Sequence, residues 1–254
     1  MSAPLLQVDN LAKRFGGIVA TDDLALSIPE HELHAVIGPN GAGKTTLIAQ
    51  LSGQLAPDSG RIRFAGNDIT ALPMHRRSAL GLARSFQITS LFLDLSVLDN
   101  VALAAQAHAG HSFRFWRNAR LEGELRQPAL AALDRVGLSA RADWRAAALS
   151  HGEHRLLELA MALAGAPRML LLDEPMAGLG PEESARMVDM LRALKAEFTI
   201  LLVEHDMEAV FALADRITVL VYGQVIASGT PQEIRANEEV RQAYLGEQEA
   251  VGDA

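Results

Sequence analysis

The sequence predicts an α/β fold in which a parallel core carries an antiparallel flank and a helical insertion. Three observations predict it. Leu33 to Ile37 is an apolar run of strand length, followed by Gly38-Pro39-Asn40-Gly41-Ala42-Gly43-Lys44-Thr45 and then by a helical pattern, Thr46 to Leu51. Met169 to Leu172 and Phe198 to Val203 are continuous apolar runs, as expected of strands covered on both faces, with Met187, Val188, Leu191 and Leu194 at helical spacing between them. From Ser96 to about Arg135, β-branched residues become scarce and alanine and leucine dominate. Ser96 stands there as an N-cap before Val97, Val101 and Ala104.

In chain order, Leu5 to Val8, Leu24 to Ile28 and Arg61 to Phe64 are short β-type stretches separated by turn residues, which predicts an antiparallel sheet around the 33–37 strand. Leu149-Ser150-His151-Gly152-Glu153 precedes a helix whose Leu156, Leu159, Ala160 and Leu163 share a face, with Ser150 and Glu153 spaced as a capping box. Pro181, Glu182 and Glu183 open the helix between the two later strands, and Lys195 closes it, in accord with proline at the first position and with the helix dipole. Tyr222-Gly223-Gln224 marks a hairpin. Two short helices end the chain, the first opened by the capping box Thr230-Pro231-Gln232-Glu233. No internal repeat or low-complexity linker is seen. The expected division is one domain over 1–254: an α/β core from 1–87 and 168–235, a helical part from 88–167, and a C-terminal helix and tail from 236–254.

Composition narrows the class. With 254 residues, 49% of them hydrophobic, the chain can bury a substantial core. It has no cysteine, which excludes disulfides and thiolate chemistry and fits a reducing compartment. Met1 to Leu6 lacks a basic segment followed by a long apolar one, so no secretory signal is expected and the cytoplasm is the default. No apolar run approaches the ~20 residues of a bilayer-spanning helix, so a membrane role would be peripheral. A formal charge of −8 argues against nucleic acid as a partner.

The stretch Gly38 to Thr45 matches the phosphate-loop template G-x-x-x-x-G-K-[ST] at every fixed position, between a strand and a helix. Its glycines let backbone N–H groups of Gly38, Asn40, Gly41, Ala42, Gly43, Lys44, Thr45 and Thr46 turn toward phosphate oxygens at a helix N-terminus. Lys44 would reach the β- and γ-phosphates, and the Thr45 hydroxyl would hold Mg²⁺. Asp173 and Glu174 end an apolar strand, where ligands bind in open α/β sheets. Asp173 suits the Mg²⁺ shell and Glu174 can accept a proton from an attacking water, although the pair could also merely cap a strand. The N-terminus of the helix after Ser150 and Gly152 is a second anion-type site, or simply a capped helix. The pairs His108/His111 and His151/His154 fit no zinc template. Phe113 to Arg120 interleaves aromatics with Arg114, Arg117 and Arg120, which suits lipid headgroups, a partner surface or a solvated helix face.

In this order, the phosphate loop, the serine-glycine helix start, the Asp-Glu strand end and the later Val203-Glu204-His205-Asp206 resemble the ATP-binding subunit of an ABC transporter. The resemblance implies a P-loop NTPase core of the ABC ATPase type, with ATP and Mg²⁺ as cofactors and ATP hydrolysis as the activity. It also implies roles by position: Phe15 stacks on adenine, Gln87 in Ala83-Arg84-Ser85-Phe86-Gln87 senses Mg²⁺ and the attacking water, and His205 contacts the γ-phosphate. Ser150 and Gly152 of one subunit would complete the ATP site of another in a head-to-tail dimer. Lys13 to Gly17, Gly81 to Gln87, Leu157 to Ala160, Gly229 to Pro231 and Ala243 to Gly246 are similar to the branched-chain amino-acid importer type. That type implies integral membrane permease subunits as partners, a solute-binding protein acting indirectly, and a peripheral position on the inner face of the cell membrane. A lipid or lipopolysaccharide exporter subunit, a soluble non-transport ABC ATPase and a phosphoryl-transferring kinase are the alternatives.

Two departures stand out. His151 and Glu153 replace the usual glycine and glutamine, and Gly180 stands where the family usually has aspartate, which favours pairing with a non-identical second ATP-binding subunit over a homodimer. Leu91, Phe92, Leu93 and Leu95, within Ile88 to Asn100, form either a docking groove for a membrane partner or core.

Overall fold

The computed structural model describes residues 3–85, 91–108 and 123–243. Chain order gives β1 (Leu6–Phe15), β2 (Ile18–Ile28), β3 (Leu33–Ile37), α1 (Lys44–Ser52), β4 (Ser59–Phe64), β5 (Asn67–Asp68), α2 (Met74–Ala79) and β6 (Leu82–Arg84). The helical part follows, with α3 (Val97–His108), α4 (Gly123–Arg135) and α5 (His151–Leu163). The chain then returns to β7 (Met169–Asp173), α6 (Pro181–Leu194), β8 (Thr199–Val203), α7 (Met207–Leu213), β9 (Arg216–Val221), β10 (Gln224–Gly229) and α8 (Pro231–Ala236), with further helical residues at 238–243.

Two sheets form. The antiparallel one has the order β2-β1-β4-β5, and the other has the order β10-β9-β3-β8-β7-β6. Within the second, β9, β3, β8, β7 and β6 are mutually parallel and β10 closes the edge as a hairpin. Every residue of β3, β7 and β8 is buried, which is why these strands read as unbroken apolar runs. Alternation then sends Leu33, Ala35 and Ile37 to the helical side and Val36 to the other, where it meets Leu47, Ile48 and Leu51 of α1 and then Leu6, Val8 and Leu24 of the antiparallel sheet. Helix α1 is therefore enclosed between the two sheets.

The β1–β2 hairpin is longer than the sequence pattern implies. Its register runs from Leu6 opposite Ile28 to Phe15 opposite Ile18, broken by shifts near Val8, Leu11 and Lys13. Those bulges, and polar residues such as Asp22 and Asp23, interrupt the alternation that marks a strand. Ser96 caps α3 as expected, its Oγ accepting from Asp99 N at 2.9 Å. The inward face of α5 is shifted from expectation: Leu157 is fully buried, whereas Leu156 is half-buried, because the helix packs on more than one side.

A fully buried arginine holds the end of α1. Arg77 Nη1 donates to Gln50 O at 2.7 Å and Leu51 O at 2.8 Å, Nη2 to Thr70 O at 2.9 Å, and Nε to Leu72 O at 2.8 Å. Burial brings its pKa down to about 10, still protonated at neutral pH, so a cation faces the negative end of the helix. Arg77→Met should lower unfolding free energy by about 3 kcal/mol, because several buried carbonyls lose their donor together. Urea denaturation measures this, and a loss below about 1 kcal/mol would mean that those carbonyls find other partners.

Candidate functional site

The loop 38–43 leaves the end of β3, which lies inside the sheet between β9 and β8. Gly38, Gly41 and Gly43 have φ of 154°, 80° and 103°. A Cβ on Gly38 would lie 2.1 Å from Leu220 O, and one on Gly43 would lie 2.1 Å from Ala20 O, so glycine is required by close backbone approach. Gly41 meets nothing within 4 Å, and only its φ favours glycine. Lys44 is buried, and its Nζ donates to Gly38 O at 2.5 Å and Pro39 O at 2.9 Å, which sets a positive charge in the bend. Asn40, Gly41 and Thr45 are exposed, Thr46 is half-buried and Ala42 is buried. The first intrahelical bond runs from Leu47 N to Gly43 O at 2.8 Å, so the N–H groups of residues 44–46 precede the ladder and mark the positive end of α1.

Asp173 ends β7 and Glu174 follows it. Asp173 Oδ2 accepts from Arg84 Nη2 at 3.2 Å, while its buried Oδ1 has no hydrogen-bond partner. Burial raises the Asp173 pKa, with the Arg84 charge opposing that shift and Glu174 adding to it. Glu174 adopts φ of 49°, rare for a residue with a side chain and a mark of functional turns; its N–H donates to Val203 O at 2.8 Å. His205 Nδ1 lies 4.0 Å from Glu174 Oε1, at the end of the neighbouring strand.

The sequence did not single out Glu204 as an anchor. It is fully buried, accepts from Met176 N at 2.9 Å and His205 N at 3.1 Å, and thereby ties the turn after β7 to the turn after β8. Burial raises its pKa, and the backbone N–H groups pull it back down. An acidic residue directly after a buried apolar strand was the available signal.

Phe15 lies half-exposed at the β1–β2 tip, with Lys13 Nζ 5.7 Å from its ring centroid. The same hairpin supplies Ala20, whose carbonyl backs Gly43. Ser150 caps α5: its Oγ accepts from Glu153 N at 3.2 Å, and Glu153 Oε2 accepts from Ser150 N at 2.9 Å. A Cβ on Gly152 would fall 2.4 Å from Glu183 Oε1. Gly152 is thus packed against Glu183 of α6, whereas Ser150 is exposed and bonded to Glu153 of its own helix, and no contact described for either involves residues 38–46. Gly180 caps α6 without a side chain, and Glu183 Oε2 accepts its N–H at 3.3 Å. Gln87, His111, Arg114, Arg117, Arg120 and the 244–246 segment lie outside the described residues. Among the described residues no group of three or more His, Asp or Glu is arranged to hold a metal alone, and His154 Nε2 donates to Ala146 O at 2.8 Å.

A family model described as ABC transporter matches residues 21–177, and one described as branched-chain amino acid ATP-binding cassette transporter matches 224–250. The chain is similar to the high-affinity branched-chain amino acid transport ATP-binding protein BraF of Pseudomonas aeruginosa, at 39% identity over 97% of this chain and 100% of the relative. LivG of Escherichia coli, described in the same terms, is 38% identical over 97% and 100%. The lipopolysaccharide export system ATP-binding protein LptB of Acidithiobacillus ferridurans is 36% identical over 96% and 98%. Among solved structures, the ADP conformation of MJ1267, an ATP-binding cassette of an ABC transporter, superposes with a TM-score of 0.85 at 30% identity, covering 96% of this chain and 100% of that one.

The two glycine environments separate sterics from conformation. Gly43→Ala drives a methyl into the Ala20 carbonyl and should weaken binding of a fluorescent ATP analogue by about tenfold or more, whereas Gly41→Ala should lower stability by about 1–2 kcal/mol and largely retain binding. Equal binding by both variants would contradict the close-approach argument.

Proposed function

This chain belongs to the ABC transporter family of ATP-binding subunits, and we propose that it energises import of branched-chain or related amino acids by hydrolysing ATP at the interface with a second ATP-binding subunit. The observation that carries the reading is the buried strand, glycine-clasped loop and helix of residues 33–52, set beside Asp173, Glu174 and His205 at the ends of parallel strands. The C-terminal family match and the BraF and LivG relatives support the amino-acid assignment. Similarity to LptB supports lipopolysaccharide export as the second reading.

In this reading the core, 1–87 with 168–235, holds the nucleotide; the 88–167 part carries Ser150 and Gly152 to the other subunit, and 236–254 is an appended helix and tail. Phe15 stacks on adenine, and the 38–46 backbone with Lys44 neutralises the phosphates. The donor set fits Mg²⁺: a threonine hydroxyl, Thr45, and a carboxylate whose buried Oδ1 lacks a partner, Asp173, are hard oxygen ligands, with Gln87 added by resemblance. Bound there, Mg²⁺ would offset charge on the β- and γ-phosphates. Glu174 orients water and accepts its proton, and His205 meets the γ-phosphate. Gly180 leaves the usual aspartate position without a side chain, which favours a non-identical partner.

No helix among the described residues is long and apolar enough to cross a membrane. In this reading, which the transport ATP-binding relatives support, permease subunits provide the transport pathway and this chain sits on the inner face. Their docking site is a cavity of about 290 Å³ lined by Met74, Leu82, Leu91 and Met161, with Arg84 and Glu158 at its polar end. Leu91 packs on the core, whereas Phe92 and Leu93 are 57% and 49% exposed beside it.

Glu174→Gln should slow ATP hydrolysis by about 10²–10⁴-fold and, at saturating ATP, accumulate a two-subunit species by light scattering, alone or with the copurifying ATPase subunit. Lys44→Ala should bind and hydrolyse poorly and stay monomeric. A Glu174→Gln protein that is monomeric in both settings would refute the sandwich.

In vesicles carrying the copurifying membrane subunits, ATP should drive leucine uptake, and Phe92→Asp should reduce that uptake by about tenfold while the free subunit retains nucleotide binding. Lipopolysaccharide extraction in place of leucine uptake would favour the second reading. Loss of folding in Phe92→Asp would return this residue to the core.

A further inference from the structure

Arg84 closes β6, and its role was not evident from the sequence. Its side chain is only 6% exposed, yet it carries a full charge into the space between the docking cavity and the nucleotide site. Nη2 donates to Asp173 Oδ2 at 3.2 Å, and Nη1 donates to Gln54 Oε1 and to Ser52 Oγ, the latter at 3.3 Å, at the end of α1. The same residue lines the apolar cavity together with Leu91 and Met161. One planar guanidinium therefore touches the strand that ends in the cation-binding carboxylate, the last turn of the phosphate-loop helix, and the wall of the docking groove. Desolvating such a pair is expensive, and hydrophobic replacements of buried pairs are often neutral or stabilising, so its presence calls for a geometric explanation. The geometry supplies one: with Oδ2 engaged, the Asp173 carboxylate cannot turn freely, and Oδ1 is left without a protein partner.

We propose that Arg84 is a positioning residue that holds Asp173 with Oδ1 directed away from the guanidinium, available to a divalent cation. The proposal rests on the nucleotide-binding reading above. A residue that merely neutralised a buried carboxylate would affect stability and every ligand alike. One that orients the carboxylate affects the cation selectively, as groups behind metal ligands commonly do, by 10–100-fold.

The test uses Mn²⁺ as a spectroscopic probe of the ATP-loaded chain by electron paramagnetic resonance, alongside ATP binding in EDTA. Arg84→Gln should weaken Mn²⁺ binding by about tenfold and leave cation-free ATP binding unchanged, while Arg84→Lys should recover most of the loss. Gln54→Ala, at an exposed position, removes one anchor of the guanidinium and should weaken Mn²⁺ by about threefold. Unchanged Mn²⁺ binding, or a parallel loss of cation-free ATP binding, would overturn the proposal. Should Arg84→Gln fail to fold, Gln54→Ala decides it: weakened Mn²⁺ at constant cation-free ATP binding supports it, and wild-type Mn²⁺ binding overturns it. A wild-type chain that bound no ATP would instead refute the underlying reading.

Discussion

The structure depends on how closely one loop can approach two other backbones. At Gly38 and Gly43 a single added carbon would overlap the carbonyls of Leu220 and Ala20, so the loop is pressed between β9 of one sheet and β2 of the other. Hydrogen bonds complete the clasp: Gly223 N donates to Ala42 O, and Asp22 N to Gly223 O, each at 2.9 Å. The loop carbonyls are largely spoken for, since Gly38 O and Pro39 O receive Lys44 Nζ and Gly43 O receives the first helical N–H. Ala42 N–H also turns inward, donating to Pro39 O at 3.1 Å, and the positive end of α1 follows at residues 44–46, the polarity an anion requires.

That polarity holds only while α1 stays fixed, and its enclosure shows how. Leu47, Ile48 and Leu51 are buried between the sheets, and Arg77 supplies a cation to the carbonyls that end the helix. The carboxylate side is built with the same economy. Glu174 takes an αL conformation while its N–H reaches Val203 O, and Glu204 accepts from Met176 and His205, so the ends of β7 and β8 move as one piece. Acid and histidine keep their spacing because buried backbone bonds, and not their own weak contact at 4.0 Å, hold them.

Local chemistry was legible in the sequence, and long-range pairing was not. Strands β3, β7 and β8 could be read because burial on both faces leaves no polar residue to interrupt them. The N-caps at Ser96, Ser150 and Thr230 could be read because a capping bond spans three residues. The edge strand β6 is three residues long and has no periodicity to detect. The bulged middle of the β1–β2 hairpin hides its alternation. Arg84 with Asp173, and Arg77 with the end of α1, join residues far apart in sequence, and nothing in the flanking residues announces either partner. Asp173 and Glu174 could be read because they end an apolar strand, and His205 was reached only through the resemblance, whereas Glu204, which ties the two turns together, could be taken for one more acid beside a motif.

The second anion-type end follows from a charge problem at the start of α5. This N-terminus lies against the start of α6: Gly152 leaves room for the Glu183 carboxylate, and His151 Nε2 lies 3.1 Å from where a Cβ on Gly178 would stand. Two helix N-termini of like polarity repel unless an anion lies between them, and Glu183, bonded to Gly180 N–H, is that anion. With no side chain at Gly180, the carboxylate three residues on takes over the capping. The loop from Glu174 to Gly180 is consequently fixed at one end by Glu204 and at the other by Glu183 beneath Gly152.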